Sequence, residues 1–152
     1  MKPAPIQLTE YFLTELHLSA NPKFDLKQEA LLCFKDFQVA MEAAHKPEDK
    51  RDWQLTLKLQ LQPPAEANVP YRISAEMIAS FTVHPKYPED RVERLVKTNG
   101  PSMLLGAMRE IIRDATSSGP YPAVMIPSAS FYEPEKKNES PPKTPPEPDS
   151  PK

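Results

Sequence analysis

The sequence predicts an α+β fold: a four-stranded antiparallel sheet followed by a helix packed on one face. Three observations predict it. Four runs alternate apolar and polar residues, one long amphipathic run follows all of them, and a proline-broken extended segment ends at Phe131. Strands first and the helix last is the segregated order of an α+β domain, not the alternation of a parallel sheet.

Gln7 to Leu18 alternates, with Phe12, Leu16 and Leu18 on one face and Tyr11, Glu15 and His17 on the other, and Asn21-Pro22 ends the run. A second strand is expected within Leu31 to Ala43, where Phe37, Val39, Met41 and Ala43 share a face, although Ala, Met and Glu tolerate a helix equally. The clearest pattern is Trp53 to Gln62. There Trp53, Leu55, Leu57, Leu59 and Leu61 alternate with polar residues, as in a half-buried antiparallel strand. Tyr71 to Val83 repeats it, placing Tyr71, Ile73, Ala75, Met77, Ala79, Phe81 and Val83 together. Pro63, Pro64 and Pro70 punctuate the loop between, so the pair reads as a long hairpin.

Pro88-Glu89-Asp90 opens a short charged segment, Arg91 to Lys97, expected to form a brief helix of its own. The main helix is expected to start after a cap at Asn99 or Gly100, with Pro101 at its first position and Gly119 as a left-handed stop. Leu104, Leu105, Met108, Ile111, Ile112 and Ala115 recur at three- and four-residue spacing, while Arg109, Glu110, Arg113 and Asp114 fall mainly opposite. From Tyr121 to Phe131, Pro122 and Pro127 allow an edge strand or an extended strap and exclude a central strand.

At 152 residues the chain has room for one domain, read as residues 1–132. From Glu133 to Lys152 the composition turns to Pro, Glu, Lys and Ser, with nothing to bury against the entropy of ordering, and a disordered tail is expected. The net charge is −2, with 19 basic residues dispersed among 21 acidic ones, which argues against a nucleic-acid partner. No stretch approaches the about 18 to 20 apolar residues of a membrane span, and Met-Lys-Pro-Ala-Pro is not followed by a signal peptide's apolar region. A soluble cytoplasmic protein without membrane insertion is expected. Cys33 is the only cysteine; it permits no intramolecular disulfide and reads as a buried, inert thiol.

The residue types needed for catalysis are present but not grouped. His17, His45 and His84 have no metal-ligand spacing, the three glycines form no phosphate-cradling turn, and Ser128-Ala129-Ser130 lacks a nucleophile-elbow context. The expectation is no enzyme, no catalytic residues, no metal and no cofactor. What remains is adaptable apolar surface. Met41, Met77, Met103, Met108 and Met125 lie in structured segments, and Tyr121, Phe131 and Tyr132 lie around prolines. Such side chains suit peptide binding, though each by itself reads more readily as ordinary core.

The order of elements, with Pro101, Leu104, Arg109-Glu110, Gly119-Pro120-Tyr121-Pro122, Ile126-Pro127 and Phe131 in the helix and strap, resembles the SecB family of protein-export chaperones. The first strand and its Ser19-Ala20-Asn21-Pro22 ending are similar as well, so the resemblance spans roughly Gln7 to Phe131.

That resemblance implies a homo-oligomer, a tetramer built as a dimer of dimers, which holds non-native polypeptide clients in apolar grooves without ATP. It implies subunit packing through Tyr71, Ile73, Ala75 and Met77 and through the helix residues Leu104, Met108, Ile111 and Ala115. Client contacts are expected at Tyr121, Val124, Ile126, Phe131 and Tyr132, with Trp53, Leu55 and Leu57 contributing from the sheet. It also implies docking of the SecA export motor through acidic sheet positions. Of these only Glu15 keeps its character, since the others correspond to Ser19, Arg72 and Ser74. A second departure is that Phe131-Tyr132 runs straight into the proline-rich tail, where export members continue into another amphipathic helix.

The expected function is therefore an ATP-independent holdase, serving either protein export and translocation or a dedicated client such as an antitoxin. Two other classes stay open. A small apolar ligand carrier would enclose a pocket between sheet and helix, and an adaptor would act through its proline-rich tail.

Overall fold

Leucine at every second position from Leu55 to Leu61 demands one dry face, and in the computed structural model all four leucines are fully buried. The structure describes residues 1–30 and 32–134. Each buried leucine contributes about 1.5–3 kcal/mol relative to exposure. They lie on β3 (Asp49–Leu61), between β2 (Phe37–Lys46) and β4 (Tyr71–Val83). The other edge is β1 (Ile6–Ala20), and the order β1-β4-β3-β2 is antiparallel throughout. The inner face of the sheet packs against α1 (Val92–Ser117).

All seven odd-numbered residues of β4 from Tyr71 to Val83 are buried, as the alternation requires. The second strand starts later than its sequence indicates. Phe37 pairs with Leu61, the last residue of β3 before Pro63-Pro64, so the ladder offers no partner any earlier. Phe34–Asp36 forms a single 3-10 turn instead, and Leu31 lies outside the described residues. At the far end β2 and β3 run past the expected Ala43 and Trp53 to a tight turn at Pro47-Glu48. Cys33 sits half-buried before the 3-10 turn, not in the core.

Two irregularities in β1, between Leu8 and Glu10 and between Leu13 and Glu15, shift its phase against β4. Cross-strand partners share a face. Tyr11 opposite Ala79 and Leu13 opposite Met77 therefore join Leu16 and Leu18 on the inner side, while Phe12 opposite Ile78 turns outward. This corrects the expected grouping of Phe12 with Leu16 and Leu18.

The two expected helices are one. Val92, Val96, Gly100, Leu104, Met108, Ile112 and Thr116, every fourth residue, are all buried, and this ridge runs straight through Gly100-Pro101. Pro101 forfeits the hydrogen bond to the carbonyl four residues back, yet burial on both sides of it holds the helix together. Asn99 is no cap; its side-chain amide donates to the Leu95 carbonyl at 3.0 Å. Gly100 brings the helix close to the sheet, for a Cβ there would stand 3.1 Å from Leu55 and 3.6 Å from Phe81.

Nor is Gly119 a left-handed stop, since no described glycine has positive φ. Its missing Cβ makes room for a hydroxyl: a Cβ would come within 2.2 Å of Tyr71 Oη. Beyond it, residues 121–134 form no strand and lie as an extended strap. Of the tail read from Glu133 onward, only Glu133 and Pro134 are described, both exposed; the remainder lies outside the described residues.

Candidate functional site

The strap runs back along α1, and three contacts fix its course. Val124 N donates to Thr116 Oγ1 at 3.0 Å, Arg109 Nη1 donates to Ser128 Oγ at 3.0 Å, and Arg94 Nη2 reaches Tyr132 Oη at 3.5 Å. Pro122 and Pro127 keep it extended and out of the sheet. Its start is tied to a buried knot. Tyr121 N donates to Tyr71 Oη at 3.0 Å, and that hydroxyl has the carbonyls of Thr116 and Tyr121 within 3.2 Å. The Tyr121 ring meets Phe24 edge-on at 4.9 Å, so the β1–β2 loop packs on the same knot.

Between α1, the inner side of β2 and the end of the strap lies an open cleft of about 800 Å³, lined by Met41, Arg94, Lys97, Thr98, Ser130, Phe131, Tyr132, Glu133 and Pro134. A second cleft, of about 730 Å³, shares Arg94, Thr98 and Tyr132 with the first and extends to Tyr87, Asp90, Arg91 and Leu95. Tyr132 stands between them, 56 % exposed, with the Arg94 guanidinium 5.6 Å from its ring centre.

On the other flank, α1 meets β1 but covers its inner side only in part, with Ile6 buried and Leu8, Leu16 and Leu18 half-buried against the core. Tyr11 is 48 % and Leu13 40 % exposed there, and Phe12 is 54 % exposed on the outer side. β1 is also a sheet edge, so a row of its backbone groups has no ladder partner among the described residues.

The outer face of the sheet is polar. Lys58 bridges to Glu76 at 3.0 Å, and Thr14 Oγ1 donates to the same carboxylate at 2.8 Å. The hydrogen bond from Lys58, then that from Thr14, holds the Glu76 carboxyl below its ordinary range; the same pairing raises the Lys58 ammonium. Glu15, opposite Glu76 and 3.1 Å from His17 Nε2, lies on this face. Ser19, Arg72 and Ser74 share it.

The residues expected to touch clients divide sharply. Trp53, Leu55 and Leu57 are buried beneath α1, since their alternation is the core's own; Trp53 also uses its indole N–H on the Lys50 carbonyl at 2.8 Å. Val124 and Ile126 are the buried underside of the strap, and Tyr121 is half-buried in the knot. Only Phe131 and Tyr132 line the cleft.

The expected interface residues Tyr71, Ile73, Ala75 and Met77, with Leu104 and Met108, are likewise interior to the single chain, because sheet and helix cover one another there. Ile111 and Ala115 are half-buried. Among the methionines, Met77 and Met108 are core, while Met103 and Met125 are exposed.

Nothing in the sequence groups Met41 with Arg94 and Lys97, because the cleft assembles from three elements far apart in the chain. The β1 flank did leave a signal. Three consecutive large apolar residues, Tyr11-Phe12-Leu13, cannot share one face of a strand.

No described helix is long and apolar enough to cross a membrane. A search of the curated proteins found no match. Among solved structures, the fold is similar to the Mycobacterium tuberculosis Rv1957 SecB-like chaperone, solved in complex with a ChAD peptide from the Rv1956 HigA1 antitoxin. That likeness has a TM-score of 0.60 at 15% identity and covers 85% of this chain and 94% of that one. A weaker likeness, TM-score 0.42 at 16% identity over 79% of this chain and 94% of the other, is to a protein of unknown function from Streptococcus agalactiae. The family model described as SecB, preprotein translocase subunit SecB, matches residues 6–135, from the first residue of β1 to just past the strap. With most of its length inside that match, the chain belongs to the SecB family.

Proposed function

We propose that the protein is an ATP-independent holdase that binds non-native or extended polypeptide in the cytoplasm as a homo-oligomer. The observation that carries the reading is the pair of confluent clefts along α1, open to solvent and edged by Met41, Phe131 and Tyr132. An open, partly apolar trough accepts an extended chain by burial, without sequence-specific hydrogen bonds. Several such troughs on one particle add avidity.

The partly uncovered flank of β1 supports self-association. An exposed edge strand carrying Tyr11, Phe12 and Leu13 offers a second copy both backbone pairing and apolar area. The assembly we propose is a tetramer made as a dimer of dimers. Between general export and a dedicated client, we favour the dedicated client. The similar Rv1957 structure holds an antitoxin-derived peptide, and of the acidic positions expected to dock the SecA motor only Glu15 remains, already beside His17.

The test is to mix the full-length protein with a fluorescently labelled, chemically unfolded polypeptide, without nucleotide, and follow co-sedimentation. The labelled chain is expected to travel with an oligomer at a fixed ratio. A stable monomer that leaves it behind would overturn the reading.

A further inference from the structure

We propose that Met125 is a reversible oxidation site, and that its sulfoxide fastens the strap to α1 through Arg109.

Met125 stands in an unusual setting for a methionine. Its neighbours Val124 and Ile126 are buried against the core and pin the backbone on both sides, while its own side chain is 53 % exposed. Met77 and Met108 are buried and shielded from an oxidant in solvent. Met103 is exposed as well, but among the described methionines only Met125 has a guanidinium donating to its sulfur.

That guanidinium is poorly satisfied. Arg109 Nη1 donates to Ser128 Oγ at 3.0 Å and Nη2 donates to Met125 Sδ at 3.6 Å. Nε is buried and has no acceptor among the described residues. The adjacent carboxylate of Glu110 is taken by Arg113 at 3.0 Å, so Arg109 is left with a hydroxyl and a thioether, and a thioether accepts only weakly. In the rigid planar fork of an arginine, the Nε–H and Nη2–H bonds leave from one edge. The idle donor and the weakly used one therefore lie side by side, on the edge that Met125 approaches.

Oxidation supplies the acceptor that this edge lacks. A lone pair on Met125 Sδ attacks one oxygen of hydrogen peroxide, the S–O bond forming as the O–O bond breaks. The proton on the transferred oxygen passes to the departing one, which leaves as water; the sulfur gives up two electrons and the peroxide takes them. The product is a sulfoxide, the step of methionine oxidation that a reductase can undo. Its oxygen is a far stronger acceptor than the thioether, and the unbranched side chain can turn it onto the Nε–Nη2 edge. A methionine sulfoxide in an apolar site disrupts packing. Here it meets two donors, and the sign reverses: the strap is held more firmly between the Val124 bond to Thr116 and the Ser128 bond to Arg109.

The test treats the full-length protein with dilute hydrogen peroxide and locates the oxidised methionines by peptide mass spectrometry. Hydrogen exchange at the Val124 amide is followed before treatment, after it, and after reduction with a methionine sulfoxide reductase. Met125 is expected to convert before Met77 and Met108. Its sulfoxide is expected to slow exchange at Val124 by about twofold to tenfold, the net worth of one hydrogen bond, and the reductase to restore the original rate. Arg109→Lys keeps the charge but not the two-donor edge, and is expected to oxidise at Met125 without the slowing. Met125→Leu is expected to show no response to peroxide at Val124.

Unchanged or faster exchange at Val124 once Met125 is oxidised would overturn the proposal, as would equal slowing in Met125→Leu or Arg109→Lys. So would a Met125 that stays reduced while Met103 converts. If Arg109→Lys fails to fold, the oxidised and re-reduced native protein, set against Met125→Leu, decides the matter.

Discussion

β4 and β1 lie side by side along their whole length, yet they end in different states. Every second residue of β4 is buried, whereas β1 buries only Ile6 and leaves Tyr11, Phe12 and Leu13 largely in solvent. Position makes the difference. β4 has β3 on one side, β1 on the other and α1 above it, so its apolar face is closed by its own chain. β1 has a partner on one side only, and its two irregularities turn apolar side chains to both faces. Neighbouring strands therefore yield a finished core in one and an unfinished surface in the other, and the unfinished one leaves room for the proposed second copy.

The sharpest way to break this contrast is to place a carboxylate on each side of it. Met108→Asp, in the closed part, buries a charge without a partner and is expected to cost about 4 kcal/mol or more, read as loss of the cooperative urea transition. A folded Met108→Asp protein would show that the helix is not seated as described.

Next in size is the knot that seats the strap. Gly119→Ala drives a methyl group into Tyr71 Oη and is expected to cost about 1–3 kcal/mol. Tyr71→Phe in the same chain should recover part of that loss, a non-additivity measurable by a double-mutant cycle. Thr116→Val keeps the shape but leaves Val124 N–H without its acceptor. That change is expected to cost about 1–3 kcal/mol and to speed hydrogen exchange at Val124. Full additivity, or unchanged exchange, would detach the strap from the knot.

Leu13→Asp, in the open part, is expected to change monomer stability by no more than about 0.5 kcal/mol while weakening self-association in sedimentation. If instead it unfolds the chain, β1 belongs to the core and the contrast fails.

The smallest effect is electrostatic. Glu76 is held below its ordinary range in the folded chain by Lys58 and Thr14. Its contribution to stability is therefore fully present above the unfolded carboxylate range and is lost as pH falls through the lowered value of the folded chain. Glu76→Gln is expected to flatten the acid side of the stability profile slightly. The raised Lys58 contributes below its unfolded value and loses that contribution only in strong alkali. An unchanged acid limb in Glu76→Gln would remove this pair from the account.

How much was legible in the sequence follows the same division. β3, β4 and the order of elements could be read because alternation is unbroken where both neighbours are present. The phase of β1 could not, since a bulge leaves no mark in hydropathy. Gly100-Pro101 reads locally as a boundary, yet the four-residue ridge from Val92 to Thr116 crosses it, and burial outweighs the lost hydrogen bond. The strap was legible from its prolines and its aromatic end. Alternation marked Trp53, Leu55 and Leu57 as apolar, but nothing in it separates a client surface from a core. Met41, Arg94 and Lys97 come together only in the fold.

The most direct measurement is light scattering as a chemically denatured client is diluted into buffer with increasing amounts of the purified protein and no nucleotide, with particle mass determined in parallel. The account predicts that aggregation is suppressed near one oligomer per client chain. Undiminished aggregation in the presence of a folded, stable monomer would contradict it.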